Sequence, residues 1–250
     1  MTSFLQKVKV VWMVAVLSPI TLVCGILCAT SLWFDRSGQY YHFVSQVWCR
    51  SILWAGFVKV QLTGGEKIKW DDTFIIVSNH QSHFDPAVLR PNLHNNHRYL
   101  AKMELAKIPV LGWALKYGDD VLIDRFKRAE AAKGLDATEQ KLREGKSVVI
   151  FAEGTRSEDG VMRPFKRGAF TLAMKTGLPI LPVTVMESYK IMPKGKFIMN
   201  GGEVKVIVHD PIDTASFMTQ ANGEAALNEL TFNTIAAPFH HSSQPAPAAV

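Results

Sequence analysis

The N-terminal part of the chain is strongly apolar. From Val10 to Phe34 no residue carries a charge, and the run ends at Asp35 and Arg36. As a straight helix this run would be roughly 37 Å long, more than the roughly 30 Å of the hydrocarbon core of a bilayer. The apolar region of a cleaved signal peptide is shorter, about 7–15 residues. The pattern therefore favours a retained membrane anchor over a signal peptide.

A second apolar segment extends from Tyr40 to Val60 and contains a central arginine, Arg50. An arginine at the centre of a bilayer costs about 2.5–3.5 kcal/mol, so this segment is expected to lie in the membrane interface. Pro19 is in a position to kink the first segment. Residues 1–62 are therefore predicted to form a membrane anchor of hydrophobic helices, either re-entrant or a pair of helices, with both ends on one side of the membrane.

Beyond Leu62, apolar runs typical of strands alternate with helical patterns. The predicted helices are Ala129–Arg143 and Gly168–Lys175, each followed by a glycine of the kind that ends helices. This alternation predicts an α/β domain over residues 63–235, with a largely parallel or mixed sheet flanked by helices and with ligands bound beyond the carboxyl ends of the strands. The predicted strands are Thr73–Ser78, Asp120–Ile123, Ser147–Ala152, Ile180–Met186 and Glu203–His209.

Residues 236–250 are rich in alanine, proline, serine and histidine. This composition does not supply the apolar pattern of a packed element, and we expect a disordered tail. His240 and His241 within it are expected to be solvated rather than to bind a ligand.

The charge balance and the cysteines narrow the class of protein. The formal net charge is +6 and the pI is near 9.2, which suits an anionic membrane surface or a phosphorylated substrate. Nothing in the sequence is typical of an aromatic-rich nucleic-acid module or a basic recognition helix, so no nucleic-acid partner is expected. The three cysteines, Cys24, Cys28 and Cys49, have no paired-ligand spacing and indicate neither a disulfide framework nor a zinc site.

The stretch Asn79–Asp85 is the most informative part of the chain, because it follows a predicted buried strand. A histidine and a carboxylate five residues apart on such a turn can fold back on each other. Asp85 would then hold one imidazole nitrogen of His80 and leave the other free as a base. No cysteine or motif-embedded serine nearby is an obvious nucleophile. The base would therefore activate a hydroxyl group of the substrate, which points to a transferase.

Three further groups of polar residues lie where loops should leave the sheet: Lys102; Asp124 and Arg125; and Glu153, Gly154, Thr155 and Arg156. Gly154 lets backbone N–H groups approach an anion, and the neighbouring hydroxyl and guanidinium add donors. Alone, Asp124–Arg125 would be an ordinary ion pair, Glu153–Arg156 an ordinary turn and His80 a satisfied loop histidine. Because these three elements each follow a predicted strand, we expect instead a shared site, in which Lys102, Arg125 and Arg156 converge on one phosphate.

Two alternatives belong to other classes of protein. His80, His83 and Asp85 have the spacing of a partial metal cluster, as in a metallohydrolase. Such a site needs further ligands, and the isolated histidines are expected at the surface, so no metal is predicted; these histidines are His94, His97 and His209. The other alternative is a non-catalytic lipid-binding membrane protein, against which the intact His80–Asp85 pair argues.

Over roughly residues 73–213 the chain resembles the glycerophospholipid acyltransferase superfamily, and most of all the 1-acyl-sn-glycerol-3-phosphate acyltransferases. The first family block, Asn-His-Gln-Ser-x-x-Asp, matches Asn79–Asp85 in full, including Gln81 and Ser82. Ala152 stands where the third block usually has proline, and Leu122 stands where the second usually has phenylalanine. The other blocks match Lys102, Glu104 and Leu105 with Pro109 and Gly112; Ile123, Asp124 and Arg125; Phe151–Ser157; and Pro182 among aliphatic and β-branched residues.

The resemblance implies the glycerolipid acyltransferase fold and a role for each matched residue. His80 would be the general base and Asp85 would orient it. Lys102, Arg125 and Arg156 would hold the substrate phosphate, while Glu153, Gly154 and Thr155 would position the acceptor glycerol and the loop. Asn79, Gln81, Ser82, Asp124 and Pro182 would support these motifs.

The resemblance also implies the substrates and the location. The acceptor would be lysophosphatidic acid and the product phosphatidic acid, in phospholipid biosynthesis; another lysophospholipid or glycerol 3-phosphate remains an alternative acceptor. The co-substrate would be acyl-CoA or acyl carrier protein, with no bound cofactor. Since such donors are cytoplasmic and Lys7 and Lys9 favour a cytoplasmic N-terminus, the catalytic domain is expected on the cytoplasmic face of a membrane, the inner membrane in a bacterium.

Overall fold

The fold is built on a mixed β-sheet. A computed structural model describes residues 4–124, 127–157, 160–192 and 200–241. In these residues the strand order is β1-β7-β6-β2-β5-β3-β4, in which β7 is antiparallel to β6 and the other neighbouring pairs are parallel. The strands are β1 Val58–Gly64, β2 Ile75–Ser78, β3 His97–Lys102, β4 Val121–Ile123, β5 Ser147–Phe151, β6 Ile180–Met186 and β7 Gly202–Val208.

Helices cover both faces of the sheet. One layer of core packs against α2 and α3, and the other packs against α5, α6 and α9. The α-helices are α1 Phe4–Thr30, α2 Gln39–Ala55, α3 Asp85–Leu89, α4 Leu111–Tyr117, α5 Arg128–Arg143, α6 Gly168–Thr176, α7 Ser188–Ile191, α8 Ala215–Met218 and α9 Gly223–His241; short 3₁₀ turns span Ser31–Trp33 and Met103–Lys107. The predicted mixed α/β sheet flanked by helices is therefore confirmed.

The alternation of side chains along the strands explains the two core layers. Ile76 faces the layer that contains α2 and α3, whereas Ile75 and Val77 face the layer that contains α6 and α9. All four residues of β2 are buried, as expected of a central strand covered on both faces. The five predicted strands and both predicted helices are present, with their ends shifted by at most two residues. β1 and β3 were not predicted.

The N-terminal segments form two packed helices. α1 continues through Pro19, and α2 returns along it, with Trp48 Nε1 donating a hydrogen bond to Thr21 Oγ1 (2.9 Å). The described part of this region is therefore a pair of packed helices, and its role as a membrane anchor stays a prediction. The predicted boundary at residue 62 falls inside β1, which pairs with β7, so the sheet begins slightly earlier in the chain.

By length and composition, one helix in the described part of the chain could cross a membrane, Gln6–Trp33. Only 11% of its most apolar window is buried, because α2 and α4 cover only part of α1. Most of this apolar helix therefore lies on the surface of the protein.

A buried network of charges fastens α2 to the sheet. Arg90 Nη2 contacts both carboxylate oxygens of Asp120 at 2.9 and 3.0 Å, and Asp120 also accepts hydrogen bonds from Tyr41 of α2 and from the backbone N–H of Tyr99. His97 is fully buried beside this network, so its predicted surface position is wrong. Its desolvation and the nearby Arg90 charge hold the pKa of His97 well below the usual value, which keeps its ring neutral.

The structure also describes the other two histidines predicted at the surface and the first part of the predicted disordered tail. His94 is exposed and His209 is half-buried, with its Nε2 2.8 Å from Thr184 Oγ1. α9 continues to His241, so the segment predicted to be disordered is helical over residues 236–241. Residues 242–250 lie outside the described part of the chain.

Candidate active site

The sheet brings the predicted loops to one edge. β2 lies between β5 and β6, and Ser78 is level with Phe151 in one neighbour and with Val183 in the other. The loops after β2 and β5 therefore emerge side by side. The β3 and β4 ends follow along the same edge, because these strands run parallel to β5.

Asn79 joins the first loop to the neighbouring strand. Its side-chain Nδ2 donates to the carbonyl of Val185 and its Oδ1 accepts from the N–H of the same residue, both at 2.8 Å. The amide thus continues the pairing of β2 with β6 by one residue. This contact fixes the backbone from which His80 projects.

His80 and Asp85 form the predicted pair. His80 Nδ1 lies 2.7 Å from Asp85 Oδ2, with the histidine side chain 18% exposed and the aspartate fully buried. Because Asp85 accepts the Nδ1 proton, Nε2 is the nitrogen left to act as a base. In the described part of the chain, no side chain hydrogen-bonds to that nitrogen. The geometry is that of an oriented general base.

The backbone of the loop holds the carboxylate of Asp85 in place. Its Oδ2 also accepts from the N–H groups of Gln81 (2.7 Å) and Ser82 (2.9 Å). Gln81 additionally donates its side-chain Nε2 to the carbonyl of Gly160. The predicted supporting residues of the first block therefore shape the turn around the histidine.

An aromatic stack supports the face of the imidazole. The Phe151 ring lies 4.2 Å from the His80 ring at an interplanar angle of 19°, and Tyr99 stacks behind Phe151 at 6.2 Å. The stack limits rotation of His80 about its side-chain bonds. Phe151 was predicted only as a motif position, and no feature of the sequence indicates that it packs against the histidine.

Glu153 lies beneath the site and contacts backbone groups. Its Oε1 accepts from the N–H of His80 (2.7 Å) and its Oε2 accepts from the N–H of Arg163 (2.9 Å). It is only 3% exposed, and this burial raises the pKa of its carboxyl group above the usual value. These contacts join the His80 loop to the segment that contains Arg163, which is consistent with a role of Glu153 in positioning the loop. None of its described contacts reaches the surface of the cleft.

The rest of this loop wraps around His80. Gly154 has a φ of +71°, a left-handed conformation that glycine adopts readily, and the N–H of Ser157 donates to the carbonyl of His80 (2.9 Å). Thr155 is exposed and Arg156 is half-buried. Burial lowers the pKa of Arg156, although the Asp85 charge acts in the opposite direction. The pKa of His83 is also lowered, mainly by burial and to a smaller extent by the Arg156 charge.

The other predicted cations lie further along the edge. Lys102 ends β3 level with Ile123 of β4, and its ammonium pairs with Glu104 at 3.1 Å. Asp124 follows directly, and Arg125 lies outside the described residues. The predicted convergence on one phosphate therefore remains a prediction.

The remaining motif residues have structural explanations. Pro182 is buried in β6 opposite Val77, and its carbonyl accepts from the N–H of His209. A Cβ on Gly112 would lie 2.2 Å from the carbonyl oxygen of Ala106. Ala152, which stands where proline is usual, donates its N–H to Ser78 (3.2 Å), a bond that proline could not make.

An apolar cavity of ≈ 430 Å³ lies between α1 and the His80 loop. Phe84 of that loop lines it on one side. The other walls come from α1 and from two further loops, through Val10, Met13, Val14, Leu17, Ser18, Thr21, Pro109, Val110 and Met192. Its mainly apolar lining suits a hydrocarbon chain.

A comparison with known protein families decides the family. The family model described as Acyltransferase matches residues 59–186, a span that contains the His80 loop, β3, β4 and the loop after β5. The chain belongs to the acyltransferase family. The resemblance found in the sequence motifs is therefore confirmed.

Named relatives and a solved structure agree with this membership. The chloroplastic 1-acyl-sn-glycerol-3-phosphate acyltransferase BAT2 of Brassica napus is 40% identical over 72% of this chain and 53% of its own. The 1-acyl-sn-glycerol-3-phosphate acyltransferase of Pseudomonas aeruginosa is 32% identical over 82% of this chain and 81% of its own. The crystal structure of the 1-acyl-sn-glycerophosphate (LPA) acyltransferase PlsC from Thermotoga maritima matches with a TM-score of 0.81 and 25% identity, over 97% of this chain and 98% of that one.

The lengths of the relatives differ. This family member spans about half the length of the two chloroplastic relatives, 53% of the Brassica napus protein and 49% of the Arabidopsis thaliana LPAT1 protein. It spans most of the bacterial ones named above.

The alternative of a metal site would need ligands from the described residues in addition to His80, His83 and Asp85. Within them, no group of three or more His, Cys, Asp or Glu side chains could hold a metal ion. His83 is exposed.

Proposed function

We propose that the protein transfers a fatty acyl group from an acyl thioester to the 2-hydroxyl of 1-acyl-sn-glycerol 3-phosphate, which yields phosphatidic acid for phospholipid biosynthesis. The observation that carries the proposal is the 2.7 Å contact between His80 Nδ1 and buried Asp85, at a sheet edge that also bears Arg156 and Lys102. The printed names of the relatives support the same reaction.

His80 acts as the base in a direct transfer. Its Nε2 removes the proton of the acceptor hydroxyl as that oxygen attacks the thioester carbonyl. Asp85 stabilises the imidazolium that forms. Collapse of the tetrahedral intermediate breaks the carbon–sulfur bond, and the leaving thiolate takes the proton back from His80. The histidine is thereby regenerated, and no covalent acyl-enzyme is needed.

The remaining predicted residues bind and orient the substrates. Arg156, Lys102 and Arg125 bind the phosphate of the acceptor, since guanidinium and ammonium groups form charge-assisted bonds to phosphate oxygens. The loop at Gly154 supplies backbone donors for the oxyanion; these are the N–H groups of Thr155 and Arg156, because those of Gly154 and Ser157 donate to the carbonyls of Phe151 and His80. The apolar cavity beside Phe84 accommodates acyl carbons.

The donor is a soluble thioester, acyl-CoA or acyl carrier protein, and no resident cofactor takes part. The catalytic domain lies on the cytoplasmic face of a membrane, where such donors are found. The exposed apolar surface of α1 supports membrane association, and α1 and α2 anchor the domain so that the cleft draws its acceptor from the lipid layer.

Replacement of the base tests the reaction. His80→Ala should lower kcat about 10²- to 10⁴-fold while lysophosphatidic acid binding and the unfolding temperature stay near wild-type values. His83→Ala is the matched control, because His83 lies in the same loop but is exposed, and it should keep turnover of the wild-type order. Unchanged turnover in His80→Ala would disprove the base assignment.

The same purified enzyme identifies the substrates. Acceptors with and without the phosphate and the first acyl chain, each offered with acyl-CoA and with acyl carrier protein, separate lysophosphatidic acid from other lysolipids and from glycerol 3-phosphate. Chelator treatment should leave the rate unchanged, whereas a chelator-sensitive hydrolysis of the lipid would indicate a metallohydrolase.

A further inference from the structure

Residues 160–166, which lie outside the matched motifs, form a segment beside the loops after β2 and β5, here called the strap. Three backbone contacts hold it: the carbonyl of Gly160 accepts from Gln81 (3.1 Å), the N–H of Arg163 donates to Glu153 (2.9 Å), and the N–H of Lys166 donates to Ala152 (2.8 Å). Two of these partners, Gln81 and Glu153, also touch the backbone or the carboxylate of the His80–Asp85 pair. The strap is therefore positioned by the same residues as the catalytic pair.

The side chain of Lys166 lies directly over the Gly154 turn. A Cβ built on Gly154 would be 2.7 Å from Lys166 Cε and 3.0 Å from Lys166 Nζ. The absent side chain at position 154 thus makes room for the ammonium group. Gly154 immediately follows Glu153, whose carboxylate contacts the N–H of His80, so the ammonium lies over the loop that supports the His80 backbone.

The charge of Lys166 has no carboxylate partner in the described part of the chain. There, Lys133, Lys141, Lys146, Lys175 and Lys190 each lie within 4 Å of an Asp or Glu oxygen. The adjacent Arg167 pairs with Glu224 of α9 at 2.7 Å, so its charge is directed away from the turn. The two neighbouring cations therefore differ in environment, because Lys166 is exposed to solvent and its side chain lies over the Gly154 turn.

We propose that Lys166, whose side chain lies over Gly154 of the loop that also carries Arg156, binds a phosphate group of a substrate. This inference rests on the proposed acyltransfer. A lysine acts as a point charge with three rotatable donors, which complements the directional guanidinium of Arg156. The phosphate has two possible sources, the acceptor lysolipid or the coenzyme A part of the donor, and the chemistry of binding is the same for both.

Lys166→Met tests the proposal, with Arg167→Met as the matched control that removes the same charge from the next residue. A hydrogen bond to a charged group contributes about 1.5–3 kcal/mol, so KM for the phosphate-bearing substrate should rise about 10- to 100-fold. The value of kcat should change little, because the contact holds the substrate and the transition state alike. Lys166→Arg should restore much of the loss.

The substrates distinguish the two sources of phosphate. A rise in KM for lysophosphatidic acid, with none for monoacylglycerol, assigns the acceptor phosphate to Lys166. A rise for acyl-CoA, with none for an acyl thioester of N-acetylcysteamine, assigns the coenzyme A phosphates. If neither KM changes, or if Arg167→Met has an equal effect, the proposal is overturned.

Binding measurements test the phosphate site at Lys166 independently of the proposed acyltransfer reaction. Titration calorimetry of lysophosphatidic acid and of coenzyme A, in detergent, should show weaker binding of one of them to Lys166→Met than to wild type. A wild-type protein without turnover would refute acyltransfer, while this loss of binding would still support the phosphate site. Equal binding of both ligands to the two proteins would refute the site itself.

Discussion

At the scale of single residues, the buried ion pair of Arg90 and Asp120 connects α2, the sheet and the aromatic residues next to His80. Arg90 is 2% exposed, and its guanidinium also lies 4.4 Å from the centre of the Tyr99 ring. Tyr99 in turn stacks on Phe151, which stacks on His80. The pair therefore supports both the attachment of α2 and the aromatic stack under the base.

Asp120→Asn should strongly destabilise the fold. The substitution leaves the Arg90 charge buried without its carboxylate, and breaking such a pair typically costs 3–5 kcal/mol. Thermal or guanidinium unfolding in detergent measures the loss. Lys133→Gln is the control, because it removes an exposed pair with Glu130 and should cost at most about 0.5 kcal/mol. Equal stability of the two variants would contradict a structural role for the buried pair.

At the scale of elements, the turn before α4 explains why the Lys-x-Glu-Leu motif is followed by Pro109 and Gly112. The N–H of Leu111 donates to the carbonyl of Pro109 at 2.7 Å, and Val110 between them has a φ of +66° and a ψ of −57°. This is a γ-turn with positive φ at its central residue, which is rare and strained. Val110 and Pro109 both line the apolar cavity, so the strained turn helps to shape that cavity.

Gly112→Ala should destabilise this turn. The new methyl group would lie 2.2 Å from a backbone oxygen of Ala106, which cannot move without shifting the helix, and such overpacking typically costs about 1–3 kcal/mol. Gly168→Ala in α6 is the matched control, because the nearest atom to its new methyl group is a flexible Leu135 carbon at 3.5 Å. That variant should be neutral or more stable by up to about 1 kcal/mol. Unfolding temperatures compare the two, and equal values would contradict the role assigned to Gly112.

At the scale of the whole molecule, an apolar surface is exposed on the side of α1 and α2. On α2 the exposed residues Phe43, Val47, Arg50 and Trp54 follow helical spacing and form one stripe. An arginine within such a stripe suits the membrane interface, where its long side chain reaches the headgroups. This arrangement agrees with the predicted interfacial position of the second segment.

A cysteine introduced at Asp72 tests the predicted side of the membrane. Asp72 is exposed just before β2, and the native Cys24, Cys28 and Cys49 are buried, so the new thiol should be the reactive one. A membrane-impermeant maleimide should not label Asp72→Cys in intact spheroplasts and should label it after lysis. Labelling before lysis would place the catalytic domain outside.

The sequence by itself determined the local elements and the positions of the motifs along them. The continuous apolar run at Ile180–Met186 indicates a strand buried on both faces, and the amphipathic pattern at Arg128–Arg143 indicates which side of a helix faces the core; both signals depend only on neighbouring residues. The pairing of His80 with Asp85 was predictable for the same reason, because a short turn joins them. β1 was missed because its pattern continues an apolar segment, and β3 was missed because its buried His97 and Arg98 are polar.

Only the tertiary structure decided which distant groups meet. The hydrogen bonds between Asn79 and Val185, the Phe151 ring against His80, and the Lys166 ammonium over Gly154 all depend on which strands are neighbours. Strand order is set by the packing of the whole core, and no local pattern encodes it. The physical reason is that a contact between distant residues is stable only when the sheet has already brought their loops together.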